Sequence, residues 1–241
     1  MVGWMEKGGN YLIKKSKWIG AAVCIMALVV LMIPSVSAAS RVNINRVEEK
    51  IEEDGLQYSA AWPKVSGLQD TDQQAKLNVR FAESACRLKV LAQTSADQGN
   101  RTEAQMDFQV KRNCRGMVSI LFDEYLYTGG ANGSSTKTGA TFSAVDGRLF
   151  ELRDLFREDA DYVSYLSSEI KKSIQEQGIQ DEQIETFEKI DVDQPFYVTD
   201  TQLVIIMPEI TYFPHSFGVL EFPIELSNMK EMLNPEIASC C

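Results

Sequence analysis

A basic, then apolar, then small-residue leader constrains this chain most, because it takes 39 residues out of the fold and sends the rest elsewhere. Lys7, Lys14, Lys15 and Lys17 precede an uncharged run of 16 residues from Trp18 to Ile33, and Pro34 then leads into Val36-Ser37-Ala38-Ala39. This is the order of a secretory signal and its cleavage site. The apolar run is shorter than the roughly 20 residues that span a bilayer, and Pro34 breaks its helix. Cleavage after Ala38 or Ala39 fits this layout, and retention as an uncleaved membrane anchor is the other reading. Either way the remaining residues are expected outside the cytoplasm, secreted or held at the cell membrane, where there is no ATP pool and cysteines can oxidise.

Charge narrows the partners. Of 24 basic and 34 acidic residues, 20 and 33 follow residue 39, a net of 13 negative. Nucleic acid and anionic lipid are poor partners for such a surface, whereas a cationic one is electrostatically welcome. Cys24 sits in the apolar run without a lipoprotein-type surround. Cys86 and Cys114 fall on different expected elements and are candidates for one disulfide. Cys240 and Cys241 close the sequence, and outside the cytoplasm they are expected as free thiols or as an intermolecular bridge.

The pattern of apolar residues predicts the elements. Val42, Ile44 and Val47, then Leu56 to Trp62, read as neighbouring strands joined at Asp54-Gly55 and ending before Pro63. From the cap Asp70 to about Gln93, Ala75, Val79, Ala82 and Cys86 recur at helical spacing, widened by Phe81, Ala85 and Leu88, which predicts a long helix with that stripe in the core. Glu103 to Tyr127 reads as a hairpin turning at Asn113-Cys114-Arg115-Gly116. Thr138 to Val145 is a further strand, closed by Asp146-Gly147. Leu152 to Phe156 predicts a short helix and Asp161 to Gln177 a longer one, ended by Gly178. Strands at 196–198, 203–207 and 219–224 and a helical turn at 227–233 complete an α+β fold of antiparallel sheets with packed helices. The expected organisation is a signal or anchor at 1–39, a smaller module at 41–113, a larger one at 114–233 and a tail at 234–241.

Catalytic signatures are sparse. His215 is the single histidine, so a zinc pair or a Ser-His-Asp set would have to be built around it. Neither Gly-x-Ser-x-Gly nor His-Glu-x-x-His nor a phosphate-binding Gly-rich turn occurs, and no cofactor is called for. Carboxylate pairs such as Asp159 with Asp161 and Asp191 with Asp193 have the chemistry to act as acid and base on a glycan, but pairs of this kind arise readily in an acidic chain.

Two loops stand above this background. Tyr127-Thr128-Gly129-Gly130-Ala131-Asn132-Gly133 joins two strands with three glycines in five positions, so it can turn sharply and present its amides. Tyr212-Phe213-Pro214-His215-Ser216-Phe217-Gly218 carries aromatics beside proline, as interface anchors and sugar-stacking surfaces do. A tight connection and a buried turn are the plain alternatives.

The first loop resembles a family of bacterial extracytoplasmic domains of unknown function marked by Tyr-Thr-Gly-Gly-Ala-His-Gly. The likeness continues in Phe142-Ser143, Leu149 to Phe156, Phe196-Tyr197-Val198 and Met207-Pro208-Glu209, with Tyr58 to Leu68 resembling the smaller module that precedes it. Members of that family form the outer part of a lysozyme-binding anti-sigma-V factor and stand ahead of a peptidoglycan deacetylase domain. The resemblance implies an α+β sensing or binding domain at a Gram-positive cell envelope. Asn132 replaces the family's histidine, and the 17 residues ahead of the apolar run are too few for a cytoplasmic sigma-binding domain. With the sequence ending at Cys241, no deacetylase domain is expected after this one.

The expectation is therefore a non-catalytic domain that recognises a lysozyme-like cationic protein or peptidoglycan. Its contact residues would be Tyr127, Thr128, Gly129, Gly130, Asn132 and Gly133 together with Tyr212, Phe213, Pro214 and His215. A glycan-acting enzyme with a carboxylate pair and an envelope assembly accessory are the competing readings.

Overall fold

The computed structural model describes residues 41–114 and 116–240. The leader and the side chains of Cys240 and Cys241 lie outside the described residues.

Eleven-residue strands β1 (Asn43–Glu53) and β2 (Leu56–Ser66) form an antiparallel pair turning at Asp54-Gly55. β2 runs on through Pro63, contrary to the expected stop. Beyond Ala60 it has only β1 beside it, and there a residue without an N–H can sit facing the open side. Helix α1 (Thr71–Asp97) follows, its first turn capped by the Asp70 carboxylate accepting from the amides of Asp72 and Gln73.

The buried face of α1 is Leu77, Phe81, Ala85, Leu88 and Ala92, whereas Val79 is 55% exposed and Cys86 faces solvent. The expected Ala75, Val79, Ala82, Cys86 stripe is thus rotated outward. Both stripes have helical spacing, and the one carrying Phe and Leu removes more apolar surface from water, about 1.5–3 kcal/mol for each large side chain.

α1 returns the chain to the start of β2, so β3 (Thr102–Cys114) pairs with β2 in parallel, from Leu56↔Thr102 to Ala60↔Met106. The sheet is therefore mixed: an 11-residue hairpin partner, β4 (Met117–Tyr127), and β5 (Ser134–Ser143) complete the order β1-β2-β3-β4-β5 with antiparallel pairs. The module boundary expected at 113/114 falls at the tip of the β3–β4 hairpin, between two paired strands of this sheet.

Helix α2 (Tyr162–Glu176) buries Leu166, Ile170 and Ile174. Strands β6 (Phe196–Val198), β7 (Gln202–Met207) and β8 (Leu220–Glu225) form a second, antiparallel sheet. β7 is buried on both faces, which explains its unbroken Leu-Val-Ile-Ile-Met run. Leu203, Ile205 and Met207 pack with α2, while Val204 and Ile206 join Tyr197 and Leu121 between the sheets. The layers run α1, five-stranded sheet, three-stranded sheet, α2. The residues expected as a tail include α3 (Pro235–Cys240), whose Ile237 is buried in the α2 core.

The two sheets meet closely over β4 and β5. A Cβ on Gly139 would overlap the carbonyl of Phe196, so only glycine permits this approach. Ser119 Oγ lies 2.7 Å from Thr141 Oγ1 and accepts the Val198 amide at 2.9 Å, satisfying a backbone group buried between the sheets.

Candidate functional site

The loop between β4 and β5 and the loop between β7 and β8 come together at one end of the paired sheets. Their residues Thr128, Asn132, Gly133 and His215 share an open depression of about 460 Å³ with Leu126, Ser134, Glu209 and Ile210, within the size range of ligand sites.

Glu209 holds the two loops. Its side chain is only 7% exposed, and one carboxylate oxygen accepts the Ser135 amide at 3.0 Å and the Ser134 hydroxyl at 3.3 Å. The other oxygen lies 2.8 Å from Nδ1 of His215. A carboxylate only accepts, so Nδ1 carries the proton and Nε2 is turned away from Glu209, available to a partner.

Local strain marks the same place. Ile210 has φ 61° and is 57% exposed, a left-handed conformation that costs a β-branched residue of order 1–3 kcal/mol. On the opposite loop, the Tyr125 ring packs so closely on Gly133 that a Cβ there would overlap it. The tip itself, Thr128 to Asn132, is exposed.

The expected contact residues divide. Thr128, Asn132, Gly133 and His215 are brought together; Gly129 and Gly130 project at the exposed tip, and Tyr127 ends β4 half-buried outside the depression. The aromatic loop differs from the expected exposed anchor. Phe213 is buried against Phe217 at 5.3 Å, and Tyr212 stacks edge-on to Phe187 at 5.2 Å with its hydroxyl pKa raised by burial and then by Glu185 and Asp191. Pro214 is half-buried between them. Most of the apolar area of these rings is spent in the α2 core, while Ser216 is exposed and the His215 side chain is 37% exposed.

The disulfide candidates are not bridged to one another. Cys86 lies on the solvent face of α1, and Cys114 Sγ, at the end of β3, approaches Asp200 Oδ1 at 3.3 Å. Of the carboxylate pairs, Asp161 caps α2 and Asp193 accepts from Arg153 at 2.9 Å, so one member of each has a structural task. Glu209, Ser134 and Ser135 are the residues that sequence reasoning misses: 74 positions separate Glu209 from Ser135, and no spacing rule links them.

The depression lies where two regions of known likeness meet. Residues 49–135 match the family described as Deacetylase PdaC, and residues 153–227 match Protein of unknown function (DUF3298). The chain is 25% identical over 235 residues to the Anti-sigma-V factor RsiV of Bacillus subtilis (strain 168), covering 89% of this chain and 81% of that one. It is 33% identical over 101 residues to the Peptidoglycan-N-acetylmuramic acid deacetylase PdaC of the same organism, covering 39% of this chain and 22% of the enzyme, so it spans about a fifth of that relative. A DUF3298 family crystal structure from Bacteroides fragilis aligns with TM-score 0.63 at 13% identity over 84% of this chain and 98% of that one. Another from Pseudomonas aeruginosa aligns with TM-score 0.60 at 13% identity over 81% and 96%. These two share the fold. The chain thus joins a PdaC-like region to a DUF3298-like region, and the Glu209 clamp ties one to the other. Among the described residues no helix is long and apolar enough to cross a membrane.

Proposed function

We propose that this chain, a PdaC-like region followed by a DUF3298 region, is a non-catalytic extracytoplasmic sensor or binding domain that docks a cationic wall-active protein of the lysozyme type through its two clamped loops. The leader at 1–39 carries it out of the cytoplasm, by cleavage or as an anchor.

One observation carries the reading: Glu209 fixes two loops from distant parts of the sequence into a single surface with an exposed glycine-rich tip. A projecting, rigidly based tip suits a partner with a concave face, since little ordering entropy is left to lose on binding. The similarity to an anti-sigma factor over most of the chain supports a sensing role. The net charge of 13 negative after residue 39 supports a cationic partner by steering its approach.

Titration of the full chain with hen lysozyme by calorimetry tests this. Saturable binding is expected, weaker at high salt, and reduced at least about 10-fold by Asn132→Arg at the tip. No heat of binding at low salt removes the proposal.

A further inference from the structure

The five-stranded sheet carries a second surface that the loop cleft does not use. α1 covers one face, and the three-stranded sheet covers the other near Ser119, Leu121, Gly139 and Thr141, with Glu209 of its β7–β8 loop reaching Ser135. The rest of that second face is open.

The strand register places a polar row across it. Lys50 lies opposite Ser59, Ser59 opposite Gln105, Gln105 opposite Tyr125 and Tyr125 opposite Ser135. Directly paired residues share a face, and strands lie about 4.8 Å apart, so this row runs perpendicular to the strands for about 19 Å. Two depressions, of about 380 and about 250 Å³, follow it from Lys50 to Tyr125 and share Ser59 and Gln105. At one end Tyr125 packs on Gly133, the wall of the loop cleft, and at the other the row reaches the β1 edge.

The chemistry of this trough selects its occupant. Arg46 is already paired with Glu48 and Asp107, while Glu52, Glu103 and Asp123 also line the depressions. A phosphate- or sulfate-bearing polymer would meet net negative charge there. A folded protein would find few exposed apolar anchors of the kind on which interfaces depend, since Leu121 and Met106 are buried and only the rings of Tyr125 and of Phe108, the latter beneath the Arg46 guanidinium, are half-exposed among the large apolar side chains lining the larger depression. What remains are amides and hydroxyls, able both to donate and to accept, and the half-buried rings of Tyr125 and Phe108.

We propose that the trough along Lys50, Ser59, Gln105 and Tyr125 binds an uncharged glycan chain lying across the strands. The ligand's hydroxyl and acetamido groups exchange hydrogen bonds with Ser59 and Gln105, and a sugar ring lies on Tyr125. This site adjoins the protein-docking surface proposed above at Tyr125 and Gly133 but does not depend on it.

The test is titration of the full chain with chitotetraose, chitobiose and heparin, with amide chemical shifts followed by NMR. Chitotetraose should saturate the protein and bind about 10-fold more tightly than chitobiose, because the longer chain fills more of the row. The shifts should fall on Ser59, Gln105 and Asp123. The double variant Ser59→Ala, Gln105→Ala, at positions outside the core, should weaken chitotetraose about 10-fold, as expected for two lost hydrogen bonds, while leaving hen lysozyme binding unchanged. Asn132→Arg should do the reverse. The proposal is overturned by absence of saturable chitotetraose binding, by equal affinity for both lengths, by shifts confined to residues 128–133, or by heparin binding more tightly than the tetramer.

Discussion

Glu209 and His215 meet at 2.8 Å within the β7–β8 loop at the mouth of the loop cleft, with the carboxylate almost wholly withdrawn from solvent. The same carboxylate takes the Ser135 amide from the neighbouring strand end. A buried acceptor serving three donors is costly to delete, because each donor is left without a partner.

Glu209→Ala should therefore lower stability by about 1–3 kcal/mol and speed hydrogen exchange at the Ser135 amide. Glu209→Gln, which keeps a carbonyl acceptor, should lose less. Denaturant unfolding with exchange measured on both variants checks the clamp, and identical behaviour of all three proteins would refute it.

Gly139→Ala should be costlier than an ordinary surface change, at about 2–3 kcal/mol, since its methyl must push the Phe196 carbonyl away and part the two sheets. The denaturant midpoint reads this directly. Gly130→Ala, at the exposed tip, meets nothing closer than the Asn132 carbonyl at 3.8 Å and should shift the midpoint little.

Acid stability should depend on Glu221. Burial alone pushes its carboxyl up, but hydrogen bonds from the Lys137 ammonium and the Tyr197 hydroxyl outweigh that and hold it below its ordinary 4.5. The folded value lies under the unfolded one, so this contribution is complete above about pH 4.5 and is lost as pH falls through the folded value. Lys137→Met should flatten the decline of unfolding free energy on acidification. Glu124 works the other way: burial raises its carboxyl, only partly offset by Arg87. Its ionisation costs stability as pH rises through the folded value, so Glu124→Gln should gain on the wild type towards neutral pH.

Ile210→Asn should stabilise the fold by about 1 kcal/mol, because asparagine tolerates the left-handed backbone and little buried surface is lost at this exposed position. If the exposed side chain contributes to docking, lysozyme affinity should fall while the melting temperature rises. A fall in both would mean that the strain is not relieved.

Most elements are legible because their signals are local. Asp70 ahead of α1, Gly178 behind α2 and the alternation in β1 act within a few positions. The rotated face of α1 shows where local pattern runs out: two stripes share one period, and the sheet surface chose the bulkier. The parallel β2–β3 pair is likewise a consequence of α1 folding back, which alternation along a strand does not encode.

The sequence by itself determined the order of helices and strands from β1 to β8, the acidic charge and the two glycine- and aromatic-bearing loops, since propensity, periodicity and charge belong to short stretches of chain. Tertiary structure alone decided that Phe213 turns inward while His215 faces out, that Glu209 joins Ser135 to His215, and that Ser59, Gln105 and Tyr125 fall in one row. Those relations come from packing and strand register between distant segments, where burial of the larger apolar surface and satisfaction of buried polar groups settle which of several locally equivalent arrangements survives.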